Sequence, residues 1–524
     1  MYSTLLLFRR LRPFLHTTPL RCTLTTNVTT NIPPLSTEQL LLRATAGDPT
    51  YTARTLIQIG NKSNPDSLIP HTATQSVCDA YRAYDNDILR TKFLVTLAKD
   101  MYIDEGNLTS ALNAASKMNE NTPPERVRRV VSNLRTTLTP AYETLFTRVL
   151  AQVPDGMNFL VDMRGDLLRN IRLLQKKKQK LKKKAGDNHK ASADSGDKGE
   201  DSDKDILNET NENIRYLNDL DTNLKRNMIE WFSMSFLKLE RVTMEMPGTI
   251  LDQIIQEEKV HPITSFNQLK LRLGKGRRCY AFFHPSLPKI PLAFVHVALL
   301  DEIADNMNII TGDVPTTIDE NDANCAIFYS ISSSQPGLSG VDLGNFLIKQ
   351  VANDISETLP NIKEYSTLSP IPNFSNWVKS TGINLLQNGS IPGISTQDSR
   401  QLITLLKKHD HFINASECNN EIQNIFGKVC GYYLYHEKLR GRMICPVGNF
   451  HVRNGAEAWR LNVSGGDSSK HGIKNSYGIM MNYKYILKNV EKNNEKYVLE
   501  GYIKTGQSFD QWLHRAQPDF TGRF

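Results

Sequence analysis

The sequence predicts an α+β protein in which an all-α helical bundle precedes a mixed α/β domain. Three observations favour this division. Apolar residues recur every three or four positions up to about residue 232, short β-branched and aromatic runs begin after residue 233, and helical stretches separate those runs. With 524 residues, 39% of them hydrophobic and 23% charged, the chain is long enough for two or three domains of ordinary globular composition. This composition excludes a chain that is disordered throughout.

Residues 1–36 have the composition of a mitochondrial transit peptide. They contain many Ser and Thr residues, no acidic residue, and four arginines, namely Arg9, Arg10, Arg12 and Arg21. Without these four charges the formal net charge falls from +8 to +4, which is too small to indicate a nucleic-acid partner. We therefore expect residues 1–36 to direct the protein to the mitochondrial matrix.

Residues 37–232 are predicted to form the helical bundle. Apolar residues recur at helical spacing in three segments: Leu89, Phe93, Leu97 and Met101; Val127, Val130, Leu134 and Leu138; and Leu160, Met163, Leu167 and Ile171. Thr139 and Pro140 predict an N-cap followed by the first helical residue. The Pro-Asp-Gly triplet at 154–156 predicts a turn before the next helix.

Residues 175–205 interrupt this helical pattern. Seven lysines lie between Lys176 and Lys184, and the residues that follow are rich in Asp, Ser, Gly and Lys with almost nothing apolar. Such a segment cannot bury enough apolar surface to offset the entropy of ordering, so we interpret it as a disordered insertion between two helices. Alternatively, the lysines could bind an acidic membrane surface or RNA. The acidic tract beside them competes for the same charges.

Beyond residue 233, three runs are predicted to be strands: 278–284, 292–299 and 325–332. A polar loop with several glycines, 333–344, follows the third run and precedes a helix whose apolar face carries Phe346, Leu347, Val351 and Ile355. A strand, a Gly-containing turn and a helix N-terminus can together hold a phosphate group, although many such turns bind nothing.

The seven cysteines are scattered, without a C-x-x-C pair, so neither a disulfide framework nor a structural zinc site is indicated. No run approaches the ~18 uninterrupted apolar residues that a membrane-spanning helix needs. We therefore predict no metal and no membrane span.

Several short sequence strings, taken in their order along the chain, are more specific than apolar spacing or composition. They include EWFSMSFLKLERV (230–242), RRCY (277–280), AIFYSIS (326–332), GVDLGNFLIK (340–349), LSPIPNF (368–374), YLYHEK (433–438), PVGNFHVRNGA (446–456) and NYKY (482–485). In this order they resemble the malonyl-CoA decarboxylase family, over roughly residues 78–485.

The resemblance implies a helical domain over 37–232 that makes the oligomer contacts of a homotetramer, and a catalytic domain with a GNAT-like fold over 233–524. In GNAT enzymes the backbone amides of the turn after the fourth strand hold the CoA pyrophosphate. Here that substrate-binding turn comprises Ser339, Gly340, Val341, Asp342, Leu343, Gly344 and Asn345. The family's usual residue at position 342 is Glu, so the shorter Asp342 is a departure.

The resemblance also implies a reaction, the conversion of malonyl-CoA to acetyl-CoA and CO2 through an enolate that is protonated at C2. No cofactor is expected, because the thioester itself delocalises the charge. His451, as an imidazolium, is the predicted proton donor, and Ser369 is the residue that the family pairs with it. Ser330 and Tyr485 match further substrate-binding positions. From the residues alone, a structural histidine and a turn-starting serine remain alternatives.

Two other functions are weighed against this one. A GNAT-type acyltransferase would move an acyl group from CoA to an amine, but the turn keeps only the final Gly of the usual acetyltransferase signature. A non-catalytic CoA-binding or assembly protein would have no need of Ser369 and His451 in their family strings.

Overall fold

The first part of the chain is helical. The computed structural model describes residues 48–50, 52–54, 71–191, 199–311, 319–408, 419–463, 466–467 and 469–513. The predicted transit peptide lies outside these residues. Seven helices come first in the described ranges: α1 (His71–Arg82), α2 (Asp87–Asp100), α3 (Glu105–Ser116), α4 (Pro124–Thr137), α5 (Ala141–Gln152), α6 (Gly156–Ala191) and α7 (Gly199–Trp231).

Helix α6 supplies the centre of the helical core. Its predicted apolar face is buried, from Leu160 to Ile171, and packs in one cluster with Phe93 and Leu97 of α2 and with Leu224 of α7. Helix α4 differs, because none of its residues is fully buried and it packs mainly on α3. The helices therefore form a packed bundle with α3 and α4 at its margin.

One of two local predictions in this part needs correction. Helix α5 begins at Ala141 with Pro140 as its N-cap residue, whereas the Thr139 hydroxyl donates to the carbonyl oxygen of Arg135 (3.0 Å) at the end of α4. Thr139 therefore ends one helix and does not cap the next. The turn predicted at 154–156 is present, and α6 begins at Gly156.

The predicted disorder over 175–205 is wrong for most of that segment. Helix α6 continues to Ala191 and α7 begins at Gly199, while residues 192–198 lie outside the described residues. Lys, Gln, Leu and Glu all favour helices, and a helix already nucleated on a packed base extends at little cost. The low apolar content of this segment argues against a buried helix face, but it does not argue against a helix.

An eight-stranded sheet forms the centre of the second part. Its strands are β1 (Lys238–Val242), β2 (Arg277–Phe283), β3 (Ala293–Leu300), β4 (Cys325–Ser333), β5 (Glu364–Thr367), β6 (Ser369–Pro370), β9 (Glu457–Asn462) and β10 (Met480–Lys484). The order is β1-β2-β3-β4-β5-β10-β6, with β9 also paired to β10. The three strands predicted from the sequence are confirmed as β2, β3 and β4, with ends shifted by one residue.

Helices surround this sheet: α8 (Gly248–Glu257), α9 (Phe266–Arg272), α10 (Asn308–Thr311), α11 (Leu343–Thr358), α12 (Phe374–Trp377), α13 (Ile383–Gln387), α14 (Thr396–Lys408), α15 (Asn420–Tyr435), α16 (Pro446–Arg453), α17 (Lys470–Ser476), α18 (Val490–Glu500) and α19 (Gln507–Asp510). A π-helical turn (Val378–Gly382) joins α12 to α13, and a short hairpin pairs β7 (Lys438–Leu439) with β8 (Arg442–Met443). The predicted α+β class, a helical region followed by a mixed sheet domain, is confirmed. The narrower GNAT likeness stays an implication of the resemblance.

The sheet is covered on both faces. Alternate residues of β2 point to opposite sides: Tyr280 and Phe282 join the core cluster that contains α11, whereas Cys279 and Ala281 join the cluster formed by α8 and α9. Among the described residues, no helix is long and apolar enough to cross a membrane.

Strands β4 and β5 part in the middle of the sheet. They pair in parallel only from Cys325 and Glu364 to Phe328 and Thr367, after which Ser369 pairs with β10. The chain connects β4 to β5 through α11. The two strands therefore diverge where β5 ends and Ser369 begins to pair with β10, and Ser369 is among the residues considered next.

Candidate active site

Helix α16 positions His451. The helix begins with Pro446 in its first turn, and the Sγ of Cys445 accepts a hydrogen bond from the amide of Gly448 (3.4 Å). His451 lies in the last turn, 4% exposed, with its ring stacked on that of Tyr483 at 4.9 Å between centroids. The rotation of α16 and this stacking fix the direction in which both ring nitrogens point.

A row of hydrogen bonds connects Ser369, His451 and Tyr485. Nε2 of His451 lies 3.0 Å from Oγ of Ser369, and Nδ1 lies 2.9 Å from the hydroxyl of Tyr485. All three side chains are buried. Three predicted site residues that are widely separated along the chain therefore meet at one place, where β6, α16 and the end of β10 converge.

Thr367 extends the row and was missed by the sequence analysis. The Ser369 hydroxyl donates to Oγ1 of Thr367 (2.9 Å), which also accepts the backbone amide of Tyr483 (3.1 Å). Thr367 is fully buried. Its spacing of two residues from Ser369 is the signal that sequence reasoning could have used, because residues i and i+2 of an extended chain face the same side.

One tautomer of the neutral His451 ring satisfies these contacts. Since Ser369 donates to Thr367, its oxygen accepts from Nε2–H, and Nδ1 is then the acceptor for the Tyr485 hydroxyl. The predicted imidazolium is wrong for the ligand-free protein: burial lowers the pKa of His451 to about 3, so the ring is neutral at pH 7. Burial also raises the pKa of Tyr485, which keeps its hydroxyl protonated.

The turn that precedes α11 presents unused backbone amides. Helix α11 has no side-chain cap, and the amides of Gly340, Asp342, Gly344 and Asn345 have no backbone acceptor among the described residues. Ser339 and Gly340 are exposed, whereas the side chain of Leu343 is buried and that of Val341 packs against the core. The turn can therefore contact a ligand through its backbone, as the first turn of a helix does with anions.

Gly344 and Asp342 connect this turn to α16. A side chain at Gly344 would meet the ring of Phe450, the residue before His451. Asp342 is exposed, and its carboxylate pairs with the guanidinium of Arg453 at 3.3 Å. The predicted phosphate turn and the predicted catalytic histidine are thus adjacent.

Ser330 is not part of the row. Its hydroxyl donates to both carboxylate oxygens of Glu258 (2.7 and 2.6 Å), a residue just beyond the end of α8. Glu258 also accepts the amides of Val260 and His261, and burial raises its pKa. The structure therefore gives Ser330 a buried partner of its own, away from Ser369 and His451.

Comparisons with known proteins show the family to which this chain belongs. Family models described as malonyl-CoA decarboxylase C-terminal domain and malonyl-CoA decarboxylase N-terminal domain match residues 235–521 and 103–187. The mitochondrial malonyl-CoA decarboxylase of Anser anser anser is 34% identical over 455 residues, which cover 83% of this chain and 82% of the relative. This chain belongs to the malonyl-CoA decarboxylase family.

Further relatives and solved structures support this family assignment. The mitochondrial malonyl-CoA decarboxylase of Mus musculus is 33% identical, with 80% of both chains covered. The crystal structure of malonyl-CoA decarboxylase from Agrobacterium vitis superposes with a TM-score of 0.72 at 27% identity, covering 88% of this chain and 100% of that one. The enzyme from Rhodopseudomonas palustris gives a TM-score of 0.69 at 28% identity, covering 91% and 99%. Membership of the malonyl-CoA decarboxylase family favours the decarboxylase interpretation over the acyltransferase alternative.

Proposed function

We propose that this chain decarboxylates malonyl-CoA to acetyl-CoA and CO2, with the reaction centred on Ser369, His451 and Tyr485. The observation that carries the proposal is the buried row in which both nitrogens of His451 are engaged, at 3.0 Å by Ser369 and at 2.9 Å by Tyr485. Such a row holds a hydroxyl and an imidazole in fixed positions before the substrate arrives, as general acid catalysis requires.

Loss of CO2 is favoured when the groups around the carboxylate are uncharged. Ser369, Thr367 and Tyr485 are uncharged, and burial keeps His451 neutral. A carboxylate brought among these groups exchanges water for neutral partners, whereas its departure as CO2 spreads the charge over the thioester enolate. The thioester is the electron sink, so the proposed reaction needs no cofactor.

Protonation at C2 then follows from the same row. The hydroxyl hydrogen of Ser369 turns from Thr367 towards the enolate carbon and forms the new C–H bond, while Nε2–H of His451 restores the Ser369 hydroxyl. The Tyr485 hydroxyl passes its proton to Nδ1 in turn, which leaves the ring as the opposite tautomer, and a proton from water returns to the Tyr485 oxygen, since the overall reaction consumes one proton. Each proton moves to a base stronger than the one it leaves, namely the enolate, the Ser369 alkoxide and then the ring, so a neutral imidazole suffices.

The CoA moiety is assigned to the turn before α11. Its uncapped amides suit the pyrophosphate, and we infer a gap between the diverging ends of β4 and β5, which this turn and Ser369 follow. Ser369 and Gly344 are also connected through Phe450 and His451. We assign the thioester to this gap, with its malonyl end at Ser369.

The cellular setting is part of the proposal. The relatives from Anser anser anser and Mus musculus are named as mitochondrial proteins. Together with the Arg-rich, acid-free residues 1–36, these names support a mitochondrial location for this chain, in the matrix. Self-association, as a homotetramer, is likewise proposed from the family resemblance.

A direct assay tests the reaction. Purified protein incubated with malonyl-CoA, without an amine acceptor, is expected to release CO2 and acetyl-CoA in equal amounts. His451→Ala should lower turnover at least ~100-fold, the lower end of what a positioned acid contributes. Release of CO2 only when an amine is present, or undiminished release by His451→Ala, would contradict the proposal.

A further inference from the structure

A lysine of the helical region borders the turn before α11. Lys225 lies on α7, and a methyl group placed on Gly340 would lie 2.7 Å from Nζ of Lys225. Gly340 has φ +79°, in the left-handed region that other residues rarely adopt. Glycine at this position therefore permits the turn and also leaves room for the ammonium group beside it.

Packing between the helical region and the turn holds this lysine in place. Arg164 of α6 is 1% exposed and donates to the carbonyl oxygens of Gly337 and Ser339, the latter at 3.0 Å. Its Nε pairs with Asp221 of α7 at 2.9 Å. One buried guanidinium thus fastens α6, α7 and the start of the turn to each other.

The carboxylates near the turn are already engaged. Asp221, one helical turn before Lys225 on α7, pairs with Arg164, and Asp342 pairs with Arg453 at 3.3 Å. Within the described ranges, Lys225 itself forms no ion pair or hydrogen bond. Its positive charge is therefore uncompensated, and it faces the turn whose amides also lack acceptors.

We propose that Lys225 binds the diphosphate of the CoA thioester, so that the helical region completes the CoA site. This inference rests on the proposed function. An ammonium group beside several unpaired amides is complementary to a multiply charged phosphate, because both kinds of donor point at one anion. The malonyl group needs no such partner, since it is assigned to the neutral row at His451.

The test compares two substrates that share the malonyl thioester. Malonyl-CoA carries the diphosphate, and malonyl-pantetheine lacks it. Lys225→Ala is expected to raise KM for malonyl-CoA at least about ten-fold with kcat unchanged, the scale of one charge-assisted hydrogen bond. Kinetics with malonyl-pantetheine should be unaffected, Lys225→Arg should restore most of the affinity, and the difference should shrink as salt is raised.

Arg215→Ala provides a matched control, because Arg215 is exposed on the same helix and lies about 15 Å from Lys225 along the axis. Titration with CoA and with 3′-dephospho-CoA should show the same fold-loss for Lys225→Ala, since both ligands retain the diphosphate. A loss confined to CoA would overturn the diphosphate assignment. Equal losses for malonyl-CoA and malonyl-pantetheine, or no loss, would overturn the inference, whereas failure of the wild type to release CO2 from either thioester would instead reject the proposed function.

Discussion

At the scale of single residues, His451 has both nitrogens committed before any substrate arrives. Nε2 contacts the hydroxyl of Ser369, which protonates the enolate, and Nδ1 contacts the hydroxyl of Tyr485, which is already placed to donate to it. Stacking on Tyr483 prevents the ring from turning away. The imidazole can therefore return a proton to the Ser369 oxygen without first reorienting, which is the advantage of a preorganised site.

Double substitution tests whether Ser369 and His451 act as one unit. We expect His451→Ala to lower kcat by ~10²–10⁴-fold and Ser369→Ala to lower it by a comparable factor, because each removes the same proton path. The double variant should be little worse than the poorer single variant, as for coupled catalytic groups. Steady-state kinetics with malonyl-CoA measure all three. Losses that multiply would show two independent contributions.

The neutral state of His451 predicts a particular pH profile. Its pKa of about 3 means that kcat/KM, which reports the free protein, should show no inflection near pH 6.5 from this residue. A protonated donor would instead lose activity as pH rises through that value. Measuring kcat/KM from pH 5 to 8.5 decides between them, and an alkaline decline that disappears in His451→Gln would contradict the neutral imidazole.

At the scale of elements, the ion pair between Asp342 and Arg453 joins the start of α11 to the end of α16. Both side chains are about half exposed, so the pair contributes less than about 1 kcal/mol. We expect Asp342→Asn and Arg453→Gln each to lower kcat less than about five-fold, with little change in CoA affinity. The double variant should equal either single one. A much larger loss for Asp342→Asn would indicate that Asp342 contacts the substrate.

The α6–α7 hairpin is expected to tolerate loss of its tip. Among the residues whose burial the structure describes, the last apolar one buried on α6 is Ile171 and the first buried one on α7 is Thr210. Replacing 176–205 by a short Gly/Ser linker should therefore shift the melting temperature by only a few degrees, since the described side chains of 176–183 and 203–205 bury no core. Leu167→Ala, within the packed part, is the matched comparison and should cost ~2–5 kcal/mol. Equal destabilisation by both changes would show that the tip is packed.

Element type was predictable wherever a periodic apolar face existed. The strands at β2, β3 and β4 and the helix at α6 have such faces, and packing preserved them. The helical ends of α6 and α7 beyond the core lack one, so composition alone indicated disorder there. Thr139 was misassigned because a hydroxyl can bond either to the helix behind it or to the helix ahead.

At the scale of the whole molecule, the site depends on residues that are far apart along the chain and meet only in the fold. Their spacing in the sequence does not predict that they meet. Ser369, His451 and Tyr485 meet because β6 and β10 pair and α16 packs beside them. The family resemblance supplied these three residues, but it also supplied Ser330, which bonds to Glu258 instead. Thr367 could have been inferred from its spacing to Ser369, whereas Lys225 carries no motif, and only the folded chain brings it beside the turn.

Three histidines with lowered pKa values predict that acid destabilises the fold. Burial lowers the pKa of His451 and His296 to about 3 and that of His261 to about 4. Between pH 6.5 and these values the unfolded chain binds protons that the folded chain does not, so stability falls as pH falls. Each histidine contributes up to about 1.4 kcal/mol per pH unit, and the raised pKa of Glu258 acts in the opposite direction.

Urea unfolding at pH 7, 6 and 5 measures this dependence. The free energy of unfolding should decrease with each step, and His451→Gln should flatten the slope by about one histidine's share, because glutamine takes up no proton in either state. A His451→Gln slope identical to the wild type would mean that this imidazole is solvated in the folded protein. Proton transfer through a neutral His451 would then be rejected.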